Sequence, residues 1–495
     1  MLLQPTFTMQ KDHVRILTSK GYSITKSSLT PEQVNLIRTT LTVAPVTKSK
    51  FSSVGNPFTV YYESANRYYL PRHWAREKFG KEESSTMSGG LDLPSSIKFS
   101  GKPFDYQEKI LESFFAADSN GLICVPCGKG KTFMALAIAS RIGKRFLVIV
   151  DKEFLLNQWK QEMNAFFPGL RIGILQGNLC QVSPDEYDCT ICMIQTLVQR
   201  DFKDTLFKTY GFTIFDECHH LGASNFSQAL LKIQTKTMLG LSATPERDDG
   251  LTKVFMWYLG NPVYWEKTRE KDPTVQVRVV QFKTKDTSYT DEPTDYRGEV
   301  VMARLVGQLV NFVPRTTAVV KEILDVAKDS SRRILVLSER KGHLEAFEEL
   351  LKPSGHTMSY YIGGMKETVR EEGAKTAKIL LATYAMASEA MNIRSLNTVI
   401  LTSPRKKIEQ SVGRIMRERP SERTTVPLII DIVDSHGVYQ GQYKKRRVFY
   451  RKCGYSFQTR IYNDACLEKN GDESDDSDDK SEELSTNLNE CAIAD

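Results

Sequence analysis

Val125-Pro126-Cys127-Gly128-Lys129-Gly130-Lys131-Thr132 is the stretch on which the reading of this chain turns. The apolar run Gly121-Leu122-Ile123-Cys124 precedes it, and the helix-like Phe133-Met134-Ala135-Leu136-Ala137 follows. A buried strand, a glycine-rich turn and a helix opening on Lys-Thr form a cradle for phosphate, because the first N–H groups of a helix have no intrahelical acceptor and face outward. Gly128 and Gly130 leave room for oxygen atoms that a side chain would block. Lys131 reaches toward the outer phosphates, and Thr132 offers a hydroxyl to Mg²⁺. Val125 stands where the strict pattern has its first glycine, so the motif takes its meaning from what lies further along.

From about residue 100 outward, short β-branched runs alternate with helical stretches. Strands are predicted at 121–126, 146–150, 172–175, 190–194, 212–216 and 237–241, then at 334–337, 358–361, 379–381, 398–401 and 427–430. Apolar strands separated by helices belong to parallel sheets covered on both faces. Two such sets predict an α/β fold with two doubly wound domains in tandem, over 100–266 and 311–440. Residues 267–310, charged and proline-bearing, read as a connector. Residues 1–99 read as a small α+β accessory domain and 441–470 as a basic extension. Residues 471–495 read as a disordered acidic tail too polar to form a core.

A chain of 495 residues is too long for one core. No apolar run approaches the ~18 residues that span a membrane, and the start lacks the basic and apolar regions of a secretory signal. These features predict an intracellular, soluble protein without a membrane partner, in nucleus or cytoplasm. The net charge is +7, but 471–495 carries ten acids against one base, so the other 470 residues hold +16. A basic body suits a polyanion partner, and solubility explains it equally well. Of nine cysteines, Cys124/Cys127 and Cys189/Cys192 have zinc-like spacing. Strand alternation points the two members of each pair to opposite faces, which predicts small buried hydrophobes instead.

Thr213-Ile214-Phe215 leads into Asp216-Glu217-Cys218-His219. Beside a phosphate loop, a strand ending in two carboxylates suits ATP hydrolysis, with Asp216 in the Mg²⁺ shell and Glu217 orienting and deprotonating the attacking water. Ser242-Ala243-Thr244 ends another strand, where Ser242 and Thr244 can relay a hydrogen-bond change. In Gln410-Ser411-Val412-Gly413-Arg414-Ile415-Met416-Arg417, arginines three apart would share a helical face. Arg414 and Arg417 are then candidates to neutralise charge on a γ-phosphate.

The phosphate loop, Asp216-Glu217-Cys218-His219, Ser242-Ala243-Thr244 and Gln410 to Arg417, in this order over about residues 100–435, resemble the superfamily-two helicases. Tyr106-Gln107-Glu108-Lys109, Pro126-Cys127-Gly128 and Asn157-Gln158-Trp159 further resemble the subgroup of the transcription-factor and excision-repair DNA translocase, phage recombination helicases and transcript-release helicases of large DNA viruses. The resemblance implies RecA-like domains, ATP and Mg²⁺ as cofactors, Gln107 on the adenine edge, and His219 coupled to a catalytic Gln410. It also implies nucleic acid gripped near Asp151-Lys152, Gln195, Thr196 and Thr383. Ala390-Met391-Asn392 departs from the family's fifth motif, and Arg247-Asp248-Asp249 matches the translocase's Arg-Glu-Asp element loosely.

The expected activity is an ATP-driven helicase or translocase on DNA, in transcription, repair or recombination and in the company of proteins of those processes. The alternatives are the same engine on RNA, as in transcript release, and a catalytically silent scaffold. Two basic stretches stay open. Tyr61-Tyr62, Arg67-Tyr68-Tyr69, Arg72-His73-Trp74 and Arg76 suit a core with basic edges better than a base-stacking surface. Lys444-Lys445-Arg446-Arg447, flanked by Tyr443, Phe449 and Tyr450, suits nucleic-acid contact better than nuclear import.

Overall fold

The computed structural model describes residues 14–46 and 55–471, apart from 127, 204, 223, 234, 248, 268–270, 390, 392, 394, 417–422 and 465. The chain folds as two compact units that divide after Lys267.

In the first unit an eight-stranded sheet runs Leu179–Cys180, Ile172–Gln176, Cys189–Met193, Phe146–Val150, Phe212–Phe215, Thr237–Ser242, Asn120–Cys124 and Pro262–Trp265. All neighbours are parallel except the Leu179–Cys180 edge. Phe146–Val150 and Cys189–Met193 are buried at every residue, as strands covered on both faces must be. Cys189 packs into the apolar cluster on one face and Cys192 into that on the other, so this pair cannot share a metal. Cys127 lies outside the described residues.

The N-terminal residues form a five-stranded sheet in the order Tyr62–Glu63, Arg67–Leu70, Gly21–Thr25, Arg15–Thr18, Ser84–Ser85. Alternation turns Tyr68 and Leu70 into the core with Trp74, leaving Arg67 and Tyr69 on the other face. The described residues among the first 99 are built into the first unit. Arg72, 1% exposed, donates to the carbonyls of Thr235 at 2.7 Å and Lys236 at 3.2 Å, and Tyr258 donates to the Val60 carbonyl.

The second unit holds another eight-stranded sheet: Met358–Tyr361, Ile379–Thr383, Ile334–Ser338, Thr398–Leu401, Leu428–Asp434, Gln276–Lys283, Ser456–Asn463 and Cys466–Gly471. Two expectations are corrected here. The stretch 267–310 is more than a connector, because Gln276–Lys283 lies between two strands and parallel to both, with Val277, Val279, Val280 and Phe282 buried. Its Arg278 joins Arg460 (3.0 Å each) and Tyr462 (2.8 Å) around the fully buried Glu322. Nor is 441–470 an appendage. Within the helix Gly437–Lys452, Arg446 forms a two-pronged pair with Asp431 at 2.8 and 2.9 Å, and Tyr450 donates to the same carboxylate at 3.0 Å. Arg446, Tyr443 and Tyr450 are therefore interior groups, and of the basic run Lys444 and Lys445 stand exposed. Most of the acidic tail, 472–495, lies outside the described residues. Among the described residues, no helix is long and apolar enough to cross a membrane.

Candidate active site

The strand Asn120–Cys124 delivers the chain into the glycine loop, and the helix Lys131–Ile142 leaves it. Gly128 and Gly130 take φ of +89° and +81°, a left-handed backbone that side chains resist. A Cβ on Gly130 would stand 2.7 Å from Gln107 Nε2. The loop is braced from outside, since Gln107 Nε2 and Tyr106 Oη donate to the Lys129 carbonyl at 3.2 and 3.1 Å. Gln107 Oε1 accepts from the Phe104 N–H at 3.0 Å, the return half of a capping box for the helix Asp105–Ala116. Only 3% exposed, Gln107 braces the loop with one donor and one acceptor of its amide, and the adenine-reading role rests on the family resemblance.

Strand Phe212–Phe215 runs beside Phe146–Val150 and carries Asp216 and Glu217 out of its C-terminal end, toward the loop. Asp216 is gripped at both oxygens: Trp159 Nε1 donates to Oδ2 at 2.8 Å, and the Glu217 N–H donates to Oδ1 at 3.0 Å. Burial first, and then the Glu217 charge, push the Asp216 carboxyl up to about 6, against the pull of Trp159 and Lys131. Glu217 has φ of +42°. A left-handed non-glycine costs about 1–3 kcal/mol and persists where the surroundings hold it, commonly at functional sites. Its Oε1 lies 3.7 Å from Lys131 Nζ.

These residues fit Mg²⁺. Two adjacent carboxylates, one already raised by burial and by the other's charge, are the oxygen donors that a hard dication would relieve, and Thr132 supplies a hydroxyl in the first turn of the helix that leaves the loop. Among the described residues there is no cluster of three or more His, Cys, Asp or Glu that could cage a metal without help from substrate oxygens.

His219 Nδ1 meets Ser242 Oγ at 3.0 Å and Glu217 Oε2 at 3.4 Å. Burial lowers the His219 ring to about 4 despite the Glu217 charge, so the imidazole is neutral at pH 7. Ser242, fully buried, also accepts the Thr244 N–H at 3.2 Å, while the Thr244 side chain is exposed. Two residues without an assigned role in the sequence reading join this set. Trp159 fixes Asp216, from 57 positions away in the chain. Arg247 donates to the His219 carbonyl and is itself held by Asp249, Nε to Oδ1 at 2.9 Å. No spacing rule connects either to the carboxylates.

The nucleic-acid candidates are used differently from expectation. Thr196 is 4% exposed and its hydroxyl accepts the Gly177 N–H at 2.9 Å; Gln195 Nε2 donates to the Asp151 carbonyl at 2.6 Å. Both brace neighbouring loops, as the hydroxyls and amides of turns often do. The Asp151 carboxylate in turn meets His220 Nδ1 at 2.6 Å; burial raises its pKa, and His220 and the Lys152 charge together bring it below the ordinary value.

In the second unit, Thr383 closes the strand Ile379–Thr383, half-buried. The helix expected to align two arginines is a single turn, Glu409–Val412, that stops at Gly413. Arg414 follows in a turn, 8% exposed, with Nη1 donating to the Met391 carbonyl at 2.8 Å. Gln410 sits on that short helix, half-buried; Arg417, like Asn392, lies outside the described residues.

Two family models match. The one described as type III restriction enzyme, res subunit, covers residues 100–247, and the helicase conserved C-terminal domain covers 315–419. A protein of Acanthamoeba polyphaga mimivirus, named for the ATP-dependent RNA helicases, is 29% identical over 92% of this chain and 88% of its own. An African swine fever virus protein with the same kind of name is 26% identical over 71% of this chain and 73% of its own. A helicase of Escherichia phage T5 is 26% identical over 70% of this chain and 75% of its own. With the glycine loop and paired carboxylates inside the first match, and the Gln410 to Arg417 segment inside the second, the chain is a superfamily-two helicase, an ATP-dependent enzyme acting on nucleic acid and related to helicases of large DNA viruses and phages.

Proposed function

We propose that the first unit hydrolyses ATP between the glycine loop and Glu217, and that the chain uses this cycle to travel along DNA. The observation that carries the reading is the approach of Lys131 Nζ to Glu217 Oε1, 3.7 Å, at a loop whose two glycines are left-handed. Backbone N–H groups of the loop and of the first turn of Lys131–Ile142 hold the phosphates, helped by the helix dipole. Lys131 exchanges its contact with Glu217 for the outer phosphates when substrate enters, which leaves the Glu217 carboxylate to accept a proton from the attacking water. Thr132 and Asp216 would hold Mg²⁺, which when bound offsets charge on the β- and γ-phosphates. Neutral His219 shares Ser242 with the Thr244 N–H and so reports a change at Glu217 to the strand end. Gln410, Arg414 and Arg417 are assigned to ATP turnover by the family motif, and Thr383 to the strand by the same route.

Glu217→Gln should reduce turnover by about 10²–10⁴-fold, the usual worth of a general base, while ATP still binds. Unchanged turnover in that variant and in Lys131→Ala would overturn this assignment of the hydrolytic site, and absence of turnover in the wild type would leave a scaffold in place of an enzyme.

DNA is assigned because Tyr106-Gln107, Pro126-Cys127-Gly128 and Asn157-Gln158-Trp159 resemble the subgroup that includes the transcription-factor and excision-repair DNA translocase. A second reading, RNA, is favoured by the names of the mimivirus and African swine fever virus relatives. ATPase stimulation by single-stranded DNA, duplex DNA and RNA at one salt concentration separates them, and stimulation by RNA alone overturns the DNA assignment.

A further inference from the structure

A cavity of about 410 Å³ opens in the first unit where the N-terminal sheet meets Asp201-Phe202-Lys203 and Phe207-Lys208. Its walls carry Tyr62 and Tyr69 on one side and Phe202 and Phe207 on the other. Tyr62 and Tyr69 are cross-strand partners, so their rings emerge side by side on the face of the sheet opposite the buried Tyr68. The aromatic stretch in the sequence is thus divided between a core and an open surface. Phe202 and Phe207 meet edge to face with centroids 5.5 Å apart.

The charge at this cavity is lopsided. Its two acids are already held, Glu63 by Lys26 at 3.0 Å and Asp201 by Lys232 at 3.2 Å. Lys20, Lys203 and Lys208 line it as well, all exposed. Aromatic faces to stack on, ringed by exposed ammonium groups, suit a flat, uncharged ring system carried on an anionic backbone. The volume has room for one nucleotide. The cavity also adjoins the helix that carries Gln195 and Thr196. The helix Ile194–Gln199 ends at Arg200, whose guanidinium carbon sits 5.3 Å over the Phe202 ring while Nη1 donates to the Gly177 carbonyl at 2.6 Å, the residue that Thr196 holds by its N–H.

From this juxtaposition we infer that the cavity takes one unpaired base of the nucleic-acid strand, stacked against Tyr69 and Phe202 with the flanking phosphates on the lysines. The inference rests on the reading that the chain acts on nucleic acid, and adds where a strand is held by its bases rather than its backbone. Such a site holds any base, because each has a π-face, and it disfavours paired ones.

The test walks a fluorescent adenine analogue, 2-aminopurine, through a short single strand bound to the full chain without ATP. One register should change emission on binding. Tyr69→Ala and Phe202→Ala should each abolish that change and weaken the strand by about 5- to 150-fold, the range that one base–aromatic stack contributes. Tyr69→Phe should restore both, which a merely damaged fold would not allow. An abasic unit at that register should reproduce the loss in the wild-type chain. Equal binding by wild-type and alanine variants, or no register that responds, overturns the cavity assignment while strand-stimulated ATP turnover still stands. Displacement of the strand signal by free mononucleotide at micromolar concentration overturns it in favour of a small-molecule site. Absence of any strand binding or stimulation removes the nucleic-acid reading itself.

Discussion

Trp159 and Asp216 show how much of the chemistry rests on one hydrogen bond. Trp159→Phe keeps the ring and removes the donor 2.8 Å from Oδ2, so the Asp216 carboxyl should titrate higher still and the Mg²⁺ concentration for half-maximal turnover should rise. A carboxyl raised in the fold binds its proton more tightly there than in the unfolded chain. Its contribution to stability is therefore complete below its ordinary 3.8 and drains away as pH climbs through about 6. Metal-free wild type should gain less from a move from pH 5 to 7.5 than Asp216→Asn does, and Mg²⁺ with nucleotide should narrow the difference; thermal midpoints across pH measure it. Lys131, Asp216 and Glu217 were legible because each lies in a run of adjacent residues whose chemistry is local. Trp159 and Arg247 were not, since only the folded sheet brings residues so far apart in sequence to one carboxylate or carbonyl. Gln107 was legible as a site residue, but the bracing of the Lys129 carbonyl by its amide was not, since only the folded loop brings the two together.

Among the elements, the glycine loop is the least tolerant. Gly130→Ala meets both a left-handed backbone and the Gln107 amide at 2.7 Å, so nucleotide affinity should fall, and adding Gln107→Ala should recover only the steric part. Equilibrium binding of a nucleotide analogue to the single and double variants checks this. The strands predicted from apolar runs all appear, because residues covered on two faces write continuous hydrophobic stretches. Gln276–Lys283 escaped, as its Arg278 and its charged flanks disguise a central strand; Glu322 compensates that charge inside the unit. Arg446 misled for the opposite reason. Four consecutive bases read as surface, yet a helix of 3.6 residues per turn carries one of them inward to Asp431. Arg446→Ala should cost about 3–5 kcal/mol by stranding a buried carboxylate, measurable by denaturant unfolding of the second unit, whereas Lys444→Ala should leave it unchanged.

At the scale of the whole molecule, two α/β units, each with a mostly parallel sheet, were legible from the alternation of strands and helices. How closely the first hundred residues are built into the first unit was not, because a core assembled from short strands and one arginine leaves no periodic trace. The excess of positive charge over residues 1–470 predicts that strand affinity falls steeply with salt, with a log–log slope near −0.7 per phosphate contacted on single strands. Titrating an oligonucleotide at several salt concentrations gives that count directly. Arg72 has a practical corollary. Its guanidinium is seated on the carbonyls of Thr235 and Lys236, so a chimaera that borrows the leading segment from a viral relative must import the matching Thr235-Lys236 stretch as well, or it will leave a cation stranded at the graft.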